Sequence, residues 1–315
     1  MKKINVLVPI YKDYLWGGNK LQKKYHKDGT NKEIVAESWE LSTHPDGISK
    51  INDELLSEYI KENPQVLGTK CKDNDSPLLI KYIDAKEKLS IQVHPDDAYA
   101  KVNEHDNGKT ELWYVVEADE NAYIYLGLKQ KITKEEFYKV ISKNTITNYL
   151  NKISVKKGDV FLVEPGTLHS IGEGCLIAEI QKKSNVTYRA YDFNRKDQNS
   201  NLRPLHIDKA LEVTNLKQSN HDGLPDEIIK QTASTTIERL KKCDYFTVDY
   251  YAIKNKETIN VNEESFKVLM LTAGNAVVST SDETVSLVQG ESIFLSAGDY
   301  EVSVTGICEF LTVSL

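Results

Sequence analysis

Short apolar runs, each closed by a turn residue, dominate this chain and restrict what it can become. ISKI (48–51), PLLIKYI (77–83), LSIQV (89–93), ELWYVV (111–116), AYIYLGL (122–128), VFLVEP (160–165), CLIAEIQ (175–181) and VTYRAYDF (186–193) are rich in β-branched and aromatic residues. FTVDYYAI (246–253), FKVLMLTA (266–273), AVVST (276–280), SIFLSA (292–297), EVSVTG (301–306) and EFLTVSL (309–315) continue the pattern. With Gly, Asn, Asp or Pro at their ends they read as strands joined by tight turns, the signature of a sandwich or barrel. Three stretches carry helical periodicity instead, 53–62, 133–151 and 205–215, the second opened by Thr133 as N-cap with Glu136 completing a capping box. The expected class is mainly β with a few helical insertions.

At 315 residues the chain is long enough for two compact domains without help from disulfides. The polar stretch LKQSNHDGLPDEIIKQTAST (216–235) has the composition of a connection, and strands resume after it. A boundary is therefore expected near residue 230. A repeat agrees with that cut: ISVKKGDVFLVEPGTLH (153–169) aligns without gaps on VSLVQGESIFLSAGDYE (285–301), pairing Gly158 with Gly290, Gly166 with Gly298 and His169 with Glu301. Strand, glycine turn and strand, twice over, suit two cupin-like jelly-roll barrels, each a double-stranded β-helix. Residues 1–230 would form the first, with the helical additions, and 231–315 the second, without the histidine.

Composition narrows the function. With 40% apolar and 28% charged residues, and no apolar run near the roughly 20 residues a membrane helix needs, a soluble protein is expected. The opening MKKINVLVPIYKDYLWGG is interrupted by Asn5, Pro9, Lys12 and Asp13 and does not read as a secretory signal. The four cysteines, Cys71, Cys175, Cys243 and Cys308, are dispersed, which suggests neither a disulfide framework nor a thiolate zinc site and fits the cytoplasm. A net charge of −7 argues against a general nucleic-acid surface. A small anionic ligand needs only a local basic pocket, and Arg189, Arg195 and Arg203 lie close in sequence, although chance suffices for Arg195 and Arg203. A monomer or weak homo-oligomer is expected.

Four residues draw attention on chemical grounds. In LSIQVHPDD, alternation puts Gln92 and His94 on one strand face and Ile91 and Val93 on the other. Taken alone this is a solvated face with a capping turn, and His44-Pro45-Asp46 shows how little an HPD tripeptide signifies. In GKTELWYVV, Glu111 shares a face with Trp113 and Val115, a costly place for a carboxylate unless it meets a cation or donor. In GDVFLVEPGTLHSIG, His169 opens a strand after a Glu-Pro-Gly-Thr turn. Each has a bland alternative, an edge glutamate in water or a satisfied turn histidine. Together Gln92, His94, Glu111 and His169 are nitrogen and oxygen donors at three strand ends, a set suited to Zn²⁺ and also to Fe²⁺, Mn²⁺ or Co²⁺.

YLWGG (14–18), ESWELSTHPDG (37–47), PLLIKYIDAKEKLSIQVHPDD (77–97), GKTELWYVV (108–116), PGTLHSIGEG (165–174) and EIQKKSNVTYRAYDFNR (179–195) follow one another in an order that resembles the type I mannose-6-phosphate isomerases, in their short bacterial form. The resemblance implies a cupin-fold, zinc-dependent enzyme, one ion per chain, interconverting mannose 6-phosphate and fructose 6-phosphate. It places the zinc ligands on Gln92, His94, Glu111 and His169 and the active-site arginine on Arg189. Two departures stand out: Glu164-Pro165-Gly166 replaces the usual Pro-x-Gly before the ligand histidine, and the Gln92 position is not always an amide in short members.

Such an isomerisation moves a proton between C1 and C2 through an enediol, so a Lewis acid and a proton carrier are needed. Glu179 matches a family glutamate and is the candidate acid/base or hydroxyl anchor, with pairing to a lysine as the alternative. Lys109, two residues before Glu111, either stabilises the enediolate, moves the proton or contacts phosphate, or is a solvated lysine. Lys81 interrupts an apolar strand and needs an anion; Trp16 and Trp39 either wall the sugar site or belong to the core. Two other functions fit the same donors: a non-haem iron cupin oxygenase using His94, Glu111 and His169, and a non-catalytic sugar-phosphate-binding cupin.

Overall fold

Along the strand Tyr300–Ser314, Val302, Val304 and Cys308 are buried while Glu301, Thr305 and Ile307 are exposed, the period-two pattern of a sheet with one wet face. From Phe310 to Val313 every residue is buried, and the strand is covered on both sides. It pairs antiparallel with Lys267–Ser279 for most of its length, from Val268↔Val313 to Ser279↔Ser303. Leu269, Leu271, Ile293, Val302, Val304 and Phe310 fill the core against this sheet. The N-terminal strand Ile4–Val8 joins it through Ile4↔Leu295 and Val6↔Ile293, within a sheet of eleven strands.

The structure is a computed structural model and describes residues 2–28, 32–73, 75–196 and 200–315. It is mainly β with few helices, as expected. Spatial proximity groups residues 2–12, 19–82 and 224–315 into one compact unit, and 13–18 with 83–223 into a second. The chain enters the first unit for the last time at residue 224, near the expected boundary, and Ile4–Val8 is hydrogen-bonded into the sheet formed there. Among the described residues no helix is long and apolar enough to cross a membrane.

The second unit holds two antiparallel layers. One runs Leu150–Ser154, Tyr123–Leu128, His169–Ile171, Ile91–Val93, Tyr188–Tyr191; in the other Val160–Val163, Glu111–Ala118 and Cys175–Lys182 lie side by side. Ile91 and Val93 pack with Phe137, Val140, Ile141, Ala210 and Leu211, so the helices Lys134–Ser142 and Ile207–Val213 cover the outer face of the first layer. Gln92 is thereby left on the opposite, inner face.

The helices match expectation in place but are shorter. Leu56–Glu62 and Ile207–Val213 lie inside the expected ranges. The third carries the expected capping box at Thr133 and Glu136, but it stops at Ser142, where Asn144 takes a left-handed φ of 56° and the chain turns toward the strand at Leu150. Within the stretch read as a connection, Glu227–Gln231 is a strand at the sheet's edge, too exposed and polar to announce itself. The repeat's two copies share their strand spacing. Val160–Val163 and Ser292–Leu295 occupy aligned positions, each two residues after a glycine held at φ +94° (Gly158) or +93° (Gly290), where a side chain would be strained.

Candidate metal centre

Hydrogen-bond register aligns the key residues. Gln92 lies opposite His169 on one neighbouring strand and opposite Arg189 on the other, so all three project from the inner face in one row. His94 follows that strand directly. Instead of a plain turn, Asp96 caps the helix Asp97–Asn103 by accepting from the Tyr99 N–H at 2.8 Å. Glu111 opens its strand in the facing layer, opposite Val163 and Gln181. The turn before His169 is closed by Thr167 N–H to the Glu164 carbonyl, 3.1 Å, and pinned to the His94 carbonyl by the Gly166 N–H, 2.9 Å. Gly166 sits at φ +83°, so the Glu-Pro-Gly-Thr sequence forms a turn that only glycine enters without strain.

His94, Glu111 and His169 converge, all three buried, with ligand atoms within 4.8 Å of one another. His94 Nε2 is 3.5 Å and His169 Nε2 is 3.4 Å from the Glu111 carboxylate oxygens. Backbone carbonyls settle which nitrogen bears the proton: His94 Nδ1 lies 2.9 Å from Val186 O, and His169 Nδ1 2.8 Å from Thr167 O. A carbonyl only accepts, so each Nδ1 carries the hydrogen and each Nε2 presents a bare lone pair to Glu111. Burial, reinforced by Lys109, pushes the His94 pKa down to about 4, and burial lowers that of His169, which keeps both rings neutral. Burial opposes the charge of Glu111, but the Lys109 ammonium at 2.8 Å prevails and holds its carboxyl well below the usual range.

Lone pairs therefore face lone pairs. His94 Nε2 and Glu111 Oε1 are buried and make no hydrogen bond among the described residues, while Glu111 Oε2 meets the Lys109 ammonium; each unsatisfied group costs about 1–3 kcal/mol. A divalent ion fits this donor set, and the absence of thiolates leaves room for an exchangeable ligand. Gln92 belongs to the same cluster, its amide 3.2 Å from His169 Nε2. Turned over, that amide offers its oxygen as a fourth donor.

Two more expected residues stand beside the donors. Lys109 Nζ lies between Glu111 Oε2, at 2.8 Å, and Glu179 Oε1, at 3.9 Å. Trp113 Nε1–H donates to Glu179 Oε2 at 3.0 Å, and its ring meets that of His169 edge-on with centroids 5.4 Å apart. Arg189 is held by Nη1–H to the Pro204 carbonyl, 2.8 Å, and burial together with Arg203 and Arg195 lowers its pKa. Arg195 and Arg203 are more than chance neighbours: both reach the buried Asp192, at 3.9 and 3.4 Å.

Three further expected residues have partners of their own. Trp16, in the same unit, stacks on Tyr14 and takes the Glu87 N–H on its carbonyl. Lys81 and Trp39 belong to the other compact unit, where the anion that Lys81 needed is Glu37 at 3.5 Å, which also accepts from Trp39 Nε1 at 2.6 Å. The sequence reading missed the Thr167 and Val186 carbonyls, which no side-chain pattern betrays.

Comparison with known proteins agrees. The family profile for phosphomannose isomerase type I, catalytic domain, matches residues 4–125, and that for the mannose-6-phosphate isomerase cupin domain matches 236–315. The mannose-6-phosphate isomerase of Streptococcus mutans is 37% identical over 287 residues, 89% of this chain and 88% of that one. Mannose-6-phosphate isomerase ManA of Bacillus subtilis is 30% identical over 315 residues, 98% of this chain and 97% of that one. The crystal structure of the Bacillus subtilis mannose 6-phosphate isomerase superposes with a TM-score of 0.92 at 32% identity, covering 100% of both chains. A zinc-bound mannose 6-phosphate isomerase shares the fold at 16% identity, with a TM-score of 0.79 and 99% of each chain covered. The chain belongs to the type I mannose-6-phosphate isomerase, or phosphomannose isomerase, family.

Proposed function

We propose that this chain interconverts mannose 6-phosphate and fructose 6-phosphate, with zinc held by His94, Glu111 and His169 and Gln92 as fourth donor. The observation that carries the reading is the buried convergence of His94, Glu111 and His169, with His94 Nε2 and Glu111 Oε1 lacking hydrogen-bond partners among the described residues. Family membership supports the substrate and the zinc-bound relative supports the metal. When bound, zinc supplies Lewis acidity that polarises the sugar carbonyl and stabilises charge developing on its oxygen.

The protein's own groups do the rest. Glu179, oriented by Trp113, takes the proton from C2 and returns it to C1, with the enediol between. The Lys109 ammonium, between Glu111 and Glu179, gives a proton to O1 as it gains charge and recovers one from the C2 hydroxyl as the ketone forms. Arg189, in row with Gln92 and His169, fixes the sugar, and the arginines gathered at Asp192 supply the positive charge a phosphate dianion needs.

The test is a coupled assay of mannose 6-phosphate conversion, with and without chelator, on wild type, His169→Ala and Arg189→Ala. Chelation abolishes turnover, His169→Ala loses the metal, and Arg189→Ala keeps the metal while losing turnover. A metal-replete, active His169→Ala protein would falsify the ligand assignment, and oxygen uptake dependent on Fe²⁺ in place of isomerisation would sink the function.

A further inference from the structure

Gln181 is the cross-strand partner of Glu111 and is fully buried. Its side chain stands on the same sheet face as that carboxylate. The amide has one satisfactory orientation: Nε2 donates to the carbonyls of Ser184, at 2.6 Å, and Lys182, at 3.1 Å. Turned over, its oxygen would oppose two acceptors. Oε1 is thus directed away from those carbonyls, and it accepts no hydrogen bond among the described residues.

From Ser184 a short path leads to the metal ligands. Ser184, itself buried, accepts the Val186 N–H on its Oγ at 3.3 Å, and the Val186 carbonyl lies 2.9 Å from His94 Nδ1. That carbonyl puts the proton on Nδ1 and leaves Nε2 bare toward Glu111. We infer that Gln181 is a positioning residue of the metal centre: by bracing segment 182–186 it holds the carbonyl that sets the tautomer and ring direction of His94. Filling space alone would require no donor, and a methionine of similar length would serve.

The inference rests on reading His94, Glu111 and His169 as the ligands. Its test compares wild type, Gln181→Met and Ser184→Ala for zinc affinity, by competition with a chromogenic chelator, after circular dichroism and melting curves establish folding. In parallel, imidazole ¹⁵N spectra of the metal-free proteins at one near-neutral pH report the His94 tautomer. Gln181→Met is expected to weaken zinc binding about 10–100-fold, the range for outer-shell partners of metal-bound histidine. Ser184→Ala shifts affinity the same way by less, and both move His94 toward the Nε2–H tautomer. A folded Gln181→Met protein with wild-type affinity and wild-type His94 signals overturns the inference. If Gln181→Met does not fold, Gln181→Leu, which likewise cannot donate to the Ser184 carbonyl, decides in its place: wild-type affinity and wild-type His94 signals there overturn the inference. Wild type that binds no zinc refutes the ligand reading itself, and the tautomer spectra still decide whether Gln181 orients the ring.

Discussion

Acid should destabilise the metal-free protein well before its carboxylates titrate. His94 is neutral in the folded chain because burial and Lys109 push its pKa from 6.5 down to about 4. In the unfolded chain it returns to about 6.5. Above that pH neither state binds the proton, and stability is complete. Between about 6.5 and 4 the unfolded state binds a proton that the folded state refuses, so stability falls with pH and levels off only below the folded value. The separation is worth about 3 kcal/mol, at about 1.4 kcal/mol per pH unit. His169 is shifted in the same direction by its burial and steepens the slope. Glu111, held low by Lys109, adds to the loss only in the lower part of the window, as its carboxyl is protonated.

The assay is urea denaturation of chelator-stripped protein at closely spaced pH values, beside ¹³C-imidazole titration of the chain's 7 histidines. His94→Asn removes one of the refused protons and should flatten the slope by up to one proton's worth. Added zinc requires both imidazoles unprotonated, so its stabilisation should vanish through the same window. Metal-free stability that stays flat or rises as pH falls from 6.5 to 4.5 would refute the reasoning. So would a His94 resonance titrating near 6.5 in the folded protein.

Other changes probe the site piece by piece. Glu111→Gln removes the anion between the two bare Nε2 atoms and should weaken zinc binding at least tenfold, about the threshold for such sites; full occupancy by metal analysis would contradict it. Gly166→Ala puts a Cβ 2.9 Å from the Val213 carbonyl at φ +83°, so the melting temperature should drop by a few degrees, and an unchanged transition would show that the turn relaxes freely. Arg195→Ala should raise KM for the sugar phosphate about tenfold at low salt, less at high salt, with zinc content unaltered; an unchanged KM would remove Arg195 from the phosphate end.

What the sequence made legible was whatever period two carries. Gln92 and His94 opposite Ile91 and Val93, Glu111 with Trp113, and the Thr133 capping box are local patterns, and each appears in the structure. Pairings between distant segments leave no such mark. Ile4–Val8 joins Ser292–Leu295 across nearly the whole chain, a pairing that no local pattern announces. Glycine also misled, since FKVLMLTA and AVVST are one strand, Lys267–Ser279, that passes through Gly274 at φ +77° with a register shift between Leu271 and Ala273. There the residue that normally stops a strand stays paired, opposite Cys308, and the irregularity falls just before it at Thr272. Lys81 was rightly read as needing an anion, but its partner Glu37 lies forty-odd positions away and nothing local names it.

The register explains why isolated motifs in this chain say so little and their combination so much. Gln92 is paired to His169 on one side and to Arg189 on the other, and neighbouring strands lie about 4.8 Å apart. One ladder thus carries an imidazole, an amide and a guanidinium at intervals on the scale of a sugar's carbon chain. A slip of one residue in Ile91–Val93 would turn Gln92 outward and bury it among Phe137 and Val140. The apolar packing of Ile91 and Val93 against the helices forbids that slip. The core on the outer face therefore fixes the chemistry on the inner one, and a bland strand such as LSIQV acquires a function through the residues its register sets beside it.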